Sequence, residues 1–90
     1  MGQVTRQVVI PNRQGLHARP IAMIAEAAHR HRAALAVGVD GREVDGRSIM
    51  QLMTLCAAQG TEVTLRADGD DAEALVDDVA SLIEGGFGEK

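Results

Sequence analysis

The sequence predicts an α+β fold in the order βαββαβα, one sheet of four strands covered on one face by three helices. Three observations predict it. Val63, Leu65 and Ala67 alternate with Glu62, Thr64 and Arg66, the period of a half-buried strand. Ile21, Ile24, Ala25 and Ala28 fall on one helical face, as do Leu75, Val79, Leu82 and Ile83. Asp40-Gly41 is a two-residue hairpin turn between two short β-rich runs.

Gln3 to Ile10 is rich in β-branched residues and stops at the turn signal Pro11-Asn12, which predicts the first strand. Gly15 precedes the first helix, whose first turn tolerates Pro20 because that N–H would have no partner. His29-Arg30-His31-Arg32 complements the negative end of the helix. Leu35, Val37 and Val39 form the next strand, and a partner runs from the turn through Val44 to Gly46. Ser48 and Gln51 have capping-box spacing for a short helix to about Leu55, closed by Gln59-Gly60. After the fourth strand, Asp70 and Glu73 suggest another box, and Gly85-Gly86 stops the last helix. Helices on one face of one sheet are the economical packing for this order, which leaves at least two strand orders open.

No linker or repeat interrupts the chain, so residues 1–90 read as a single domain. Phe87 is the one aromatic residue, and the core must come from Val, Leu, Ile, Met and Ala. The single Cys56 excludes an internal disulfide framework and is expected to be a small packed residue. No apolar run could span a bilayer, and the first twelve residues lack signal-peptide order; a cytoplasmic protein is expected. Net charge −4 and the lack of stacking aromatics argue against nucleic acid as a partner. The charge is uneven: residues 13–47 balance to +2, residues 48–59 carry none, and residues 60–90 balance to −7. The acidic tail reads as a solvated helix face.

The informative segment is Gly15-Leu16-His17-Ala18-Arg19-Pro20. His17 falls at the N-cap of the first helix, where backbone N–H groups lack partners. With Pro20 removing one donor, those of Ala18 and Arg19 remain for an anion, and Arg19 adds a planar cationic fork. The positive helix end disfavours a protonated imidazole, and a neutral ring is what attack on phosphorus requires. The competing reading is an ordinary polar cap.

This hexapeptide, with Ser48 thirty-one residues after His17, resembles the active-site motif of the HPr family, the histidine-containing phosphocarriers of the bacterial phosphotransferase system. The resemblance covers essentially the whole chain. It implies an open-faced two-layer sandwich with a four-stranded antiparallel sheet of order 1-4-2-3. It also implies a carrier, not a turnover catalyst, that needs no cofactor or metal and works as a monomer. In such a carrier His17 takes a phosphoryl group on Nδ1 from enzyme I and passes it to a histidine of enzyme II A-type domains. Ala18 and Arg19 would hold the phosphate. The segment Arg47-Ser48-Ile49-Met50-Gln51-Leu52-Met53 resembles members in which the serine is phosphorylated by a dedicated kinase and dephosphorylated by a phosphorylase. Leu16, Met23, Arg47, Ile49, Met50 and Met53 would form the docking patch, with Leu52 and Leu55 in the core.

Two features pull toward different branches. Pro11-Asn12-Arg13-Gln14 and Gly86-Phe87 resemble nitrogen-related carriers, whereas Ser48-Ile49-Met50 with Met53 resembles those controlled at serine. Gln14 departs from the apolar or small residue more usual there. A βαββαβ small-molecule-sensing module is the rival class, giving the hexapeptide no role. An enzyme with His17 as general base lacks a second catalytic group in a suitable motif. His29 and His31, two apart, would face different sides of a helix and are not expected to bind metal.

Overall fold

Period-2 alternation sends Val63, Leu65 and Ala67 to one side of their strand, and all three are buried in the computed structural model, which describes residues 2–89. The strands are β1 (Gln3–Val9), β2 (Ala34–Val39), β3 (Arg42–Asp45) and β4 (Glu62–Asp68). The helices are α1 (Ala18–His29), α2 (Ile49–Met53) and α3 (Ala72–Glu84), followed by a 3-10 turn at Gly86–Gly88. Strand order is β1-β4-β2-β3, antiparallel throughout, which selects one of the orders left open by periodicity. Leu65 lies opposite Arg6 on one side and Val37 on the other, and Val37 faces Val44. The inward residues of β2, β3 and β4 therefore form one apolar surface. Asp40 and Gly41 both have positive φ, 54° and 80°, the twist that lets β2 return directly as β3.

α3 lies mainly on β1 and β4, and α1 packs its apolar face against α3 and α2 over the same core. Ile21, Ile24, Ala25 and Ala28 of α1 are buried, as are Leu75, Val79 and Ile83 of α3, while Leu82 is half-buried at the margin. Small Ala25, Ala28, Ala72 and Ala80 let the layers approach without aromatic filler.

Three local expectations are corrected. The α3 N-cap is Asp71, not Asp70, and no capping box forms. Asp71 is held by the turn before β2, accepting from Ala33 N–H (2.8 Å) and Arg32 N–H (3.0 Å). His31 lies beyond α1 rather than on it. Cys56 is exposed rather than packed, in a left-handed turn with φ 51°.

His31 carries a consequence for stability. Its Nδ1 is 3.2 Å from Asp71 Oδ2 and its Nε2 is 2.7 Å from Asp78 Oδ2. Ionised carboxylates only accept, so both ring nitrogens can donate only from an imidazolium. The Asp78 hydrogen bond raises the His31 pKa, burial opposes it, and Asp71 adds to the rise. A raised folded-state value means this contribution is complete below the ordinary histidine range and is lost as pH climbs through the raised value. Urea unfolding at about pH 6 and about pH 8.5 should show wild type losing stability across that interval. His31→Gln should lose the His31 share of that slope, and an unchanged slope would contradict the clamp.

Candidate functional site

The site begins with a glycine. Gly15 has φ +66°, and this turn presents Leu16 N–H to Ala57 O at 2.8 Å. Gly15 N–H donates to Asn12 O at 3.1 Å, closing the loop from the other side. His17 is then the N-cap of α1 as expected, in extended backbone, and its ring makes no cap bond. The side chain is freed for other contacts. The amides of Ala18 and Arg19 open the helix, where no preceding carbonyl can take them.

His17 Nε2 is 2.7 Å from Glu89 Oε2, and Arg19 Nη1 donates to the same oxygen at 3.0 Å. Asn12 Nδ2 donates to the other oxygen, Oε1, at 3.0 Å. Partial burial works against the Glu89 charge, yet hydrogen bonds from Asn12, His17 and Arg19 hold its carboxyl below the ordinary range. An ionised Glu89 can only accept, so the proton sits on His17 Nε2. In the neutral ring the lone pair is then on Nδ1, which has no partner among the described residues. The His17 side chain is about one-third exposed (32%) and Arg19 more than half (57%), so both are accessible from solvent.

The sequence gives neither Glu89 nor Asn12 a place at the site: Asn12 reads as part of a turn, and the acidic tail as a solvated face. The available signal was the sole aromatic, Phe87, bracketed by Gly86 and Gly88. Both glycines have positive φ (64° and 74°), and Phe87 is buried, so the tail after α3 folds back as a strap. Asp71, Asp77 and Asp78 are likewise paired, with His31 or Arg6, and the acidic segment is in part structural.

The α2 region sorts its side chains as expected. Leu52 and Leu55 are buried, whereas Ile49 (47%), Met50 (81%) and Met53 (55%) are exposed. Ser48 caps α2, its Oγ accepting from Gln51 N–H at 3.1 Å. The reciprocal half of the box is missing, because Gln51 Oε1 accepts from Asp45 N–H instead. Three further expected patch residues are less exposed. Leu16 is buried in the core, because its N–H is tied to Ala57 and the side chain follows inward. Met23 is half-buried against the core. Arg47 is half-buried with Nη2 donating to His31 O at 2.7 Å, so its guanidinium braces the turn after α1.

Known proteins match the chain over most of its length. The family described as PTS HPr component phosphorylation site matches residues 4–85. A phosphocarrier protein HPr from Cupriavidus necator is 39% identical over 84 residues, covering 93% of this chain and 94% of the relative. The crystal structure of HPr-C-His from Thermoanaerobacter tengcongensis superposes with TM-score 0.90 at 40% identity, covering 100% of this chain and 99% of that one. An HPr dimer from the same organism gives TM-score 0.77 at 40% identity, covering 91% and 94% of the two chains. With the sheet order, the helix layer and the match along nearly its whole length, the chain belongs to the HPr family of phosphotransferase-system phosphocarriers.

Proposed function

We propose that the chain carries a phosphoryl group on His17 Nδ1, received from phospho-enzyme I and delivered to a histidine of an enzyme II A-type domain. The observation that carries this reading is the Nε2–Glu89 contact at 2.7 Å, which in the neutral ring leaves the lone pair on Nδ1 of the α1 N-cap residue. In transfer, the Nδ1 lone pair forms the new P–N bond as the donor's P–N bond breaks. That bond's electron pair returns to the donor nitrogen, and the Nε2 proton stays with His17. The amides of Ala18 and Arg19 and the Arg19 guanidinium supply donors for the phosphoryl oxygens. Ile49, Met50 and Met53 form the docking surface beside the site, an adaptable patch without aromatic anchors that suits brief encounters with several partners. The family match supports placing the exchange in the cytoplasm; among the described residues no helix is long and apolar enough to cross a membrane.

Incubation with enzyme I and phosphoenolpyruvate should add one acid-labile, base-stable phosphoryl group per chain. His17→Ala should add none. Wild type that stays unmodified, or a His17→Ala variant that is still modified, would end this reading.

Phosphorylation of Ser48 by a serine kinase is the second element, favoured by its half-exposed position at the head of α2 beside Ile49 and Met50. A phosphate of roughly −2 charge is tolerated at a helix start and would repel an acidic partner there. A kinase assay against Ser48→Ala decides that element separately from His17. Service to a nitrogen-related branch rather than sugar uptake is the alternative, read from the Asn12 loop and the Phe87 strap.

A further inference from the structure

We infer that Asn12 is a positioning residue, tying the loop before α1 to the strap after α3 so that Glu89 is aimed at His17 Nε2; this rests on the phosphocarrier reading above. Asn12 is 4% exposed, the buried polar residue of the described chain. Both hydrogens of its amide are used, one on Gly15 O at 2.9 Å and one on Glu89 Oε1 at 3.0 Å. Its Oδ1 has no partner among the described residues. The side chain is thus placed for what it donates, and an isosteric carboxylate could not replace it.

The two acceptors belong to opposite ends of the chain. Gly15 sits on the turn that sets the height of His17, and Glu89 is the strap residue that meets the ring. The Glu89 carboxylate is gripped at Oε1 by Asn12 and at Oε2 by His17 and Arg19, so its plane is fixed from both sides. Removing Asn12 frees Oε1, and the carboxylate can swing to follow the exposed Arg19 guanidinium into solvent. His17 then loses the acceptor that fixes both its ring orientation and the site of its proton. Glu89 touches the reacting ring; Asn12 acts through Glu89.

The test pairs a spectroscopic reading with a rate. In wild type the His17 Nε2–H should give a slowly exchanging imidazole proton resonance, and Asn12→Ala should lose it while the sheet amide resonances stay in place. The rate of phosphoryl acceptance from phospho-enzyme I should fall about tenfold or more in Asn12→Ala, the scale expected for a mispositioned reacting group. In a Glu89→Ala background, Asn12→Ala should change neither reading further, because the residue it acts through is gone. Asn12→Ser, whose hydroxyl is too short to span both acceptors, should behave like alanine and covers the case in which alanine unfolds. A folded Asn12 variant that keeps the Nε2–H resonance, or a full additional effect without Glu89, would overturn the inference. A wild type that accepts no phosphoryl group would overturn the carrier reading instead, and the resonance would still decide the role of Asn12.

Discussion

Gly15→Ala should destabilise the fold by about 3–5 kcal/mol and impair phosphoryl acceptance in whatever fraction remains folded. Three effects act together. A Cβ at this position would overlap the Ala57 carbonyl oxygen and lie 2.9 Å from Ala58 Cα, both backbone groups that cannot rotate away. The φ of +66° is left-handed, which costs a non-glycine residue roughly 1–2 kcal/mol. Relieving the overlap pulls Leu16 N–H from Ala57 O, a hydrogen bond worth roughly 0.5–1.5 kcal/mol. For a chain of 90 residues such a loss lowers the melting temperature by roughly 12 °C or more. Gly41→Ala is the matched control. Its φ is +80°, but nothing lies within 4 Å of the added Cβ, so only the roughly 1–2 kcal/mol backbone cost should appear. Calorimetry on both variants separates the clash from the backbone preference. Equal losses would mean that the Gly15–Ala57 approach does not constrain the loop.

Phe87→Ala should cost about 3–5 kcal/mol, the range for emptying a buried aromatic site. Phe87 holds a left-handed backbone, φ 57°, which itself costs roughly 1–2 kcal/mol. Burial of a large apolar side chain gives back roughly 1.5–3 kcal/mol and the packing contacts of the filled site add to it, so the ring keeps the strap down by a margin that the backbone cost does not cancel. Once the ring is gone that margin is gone as well, and Glu89 two residues later leaves His17 and Arg19. The variant should therefore show two defects at once, a lower urea midpoint and loss of the His17 Nε2–H resonance. Phe87→Leu should retain most of both. A Phe87→Ala variant that keeps the resonance would mean that Glu89 is held without the strap's anchor.

The elements legible in the sequence are those whose period is local. The alternation of Val63, Leu65 and Ala67 and the helical spacing of Leu75, Val79 and Ile83 appear in the structure as read, because burying one face imposes its period on consecutive residues. Asp40-Gly41 and the His17 N-cap were legible for a related reason, since φ sign and unpartnered amides are properties of a few adjacent residues. The inward turn of Leu16 was not, because it depends on a bond to Ala57 forty-one residues later. Cys56 likewise turned outward through a backbone conformation its side chain does not announce.

By itself, then, the sequence determined the order of elements, the hairpin and the placement of His17 at a helix start. Each follows from interactions within a few residues. The strand order, open to periodicity alone, is the one the family resemblance implies; only the tertiary structure decided the use of Asp71 and Asp78 to clamp His31 and the joining of Asn12 to Glu89 across 77 positions. A carboxylate on an acidic tail carries no local mark of its partner. Folding back over Phe87 brings it to His17, and that contact selects which ring nitrogen is left free.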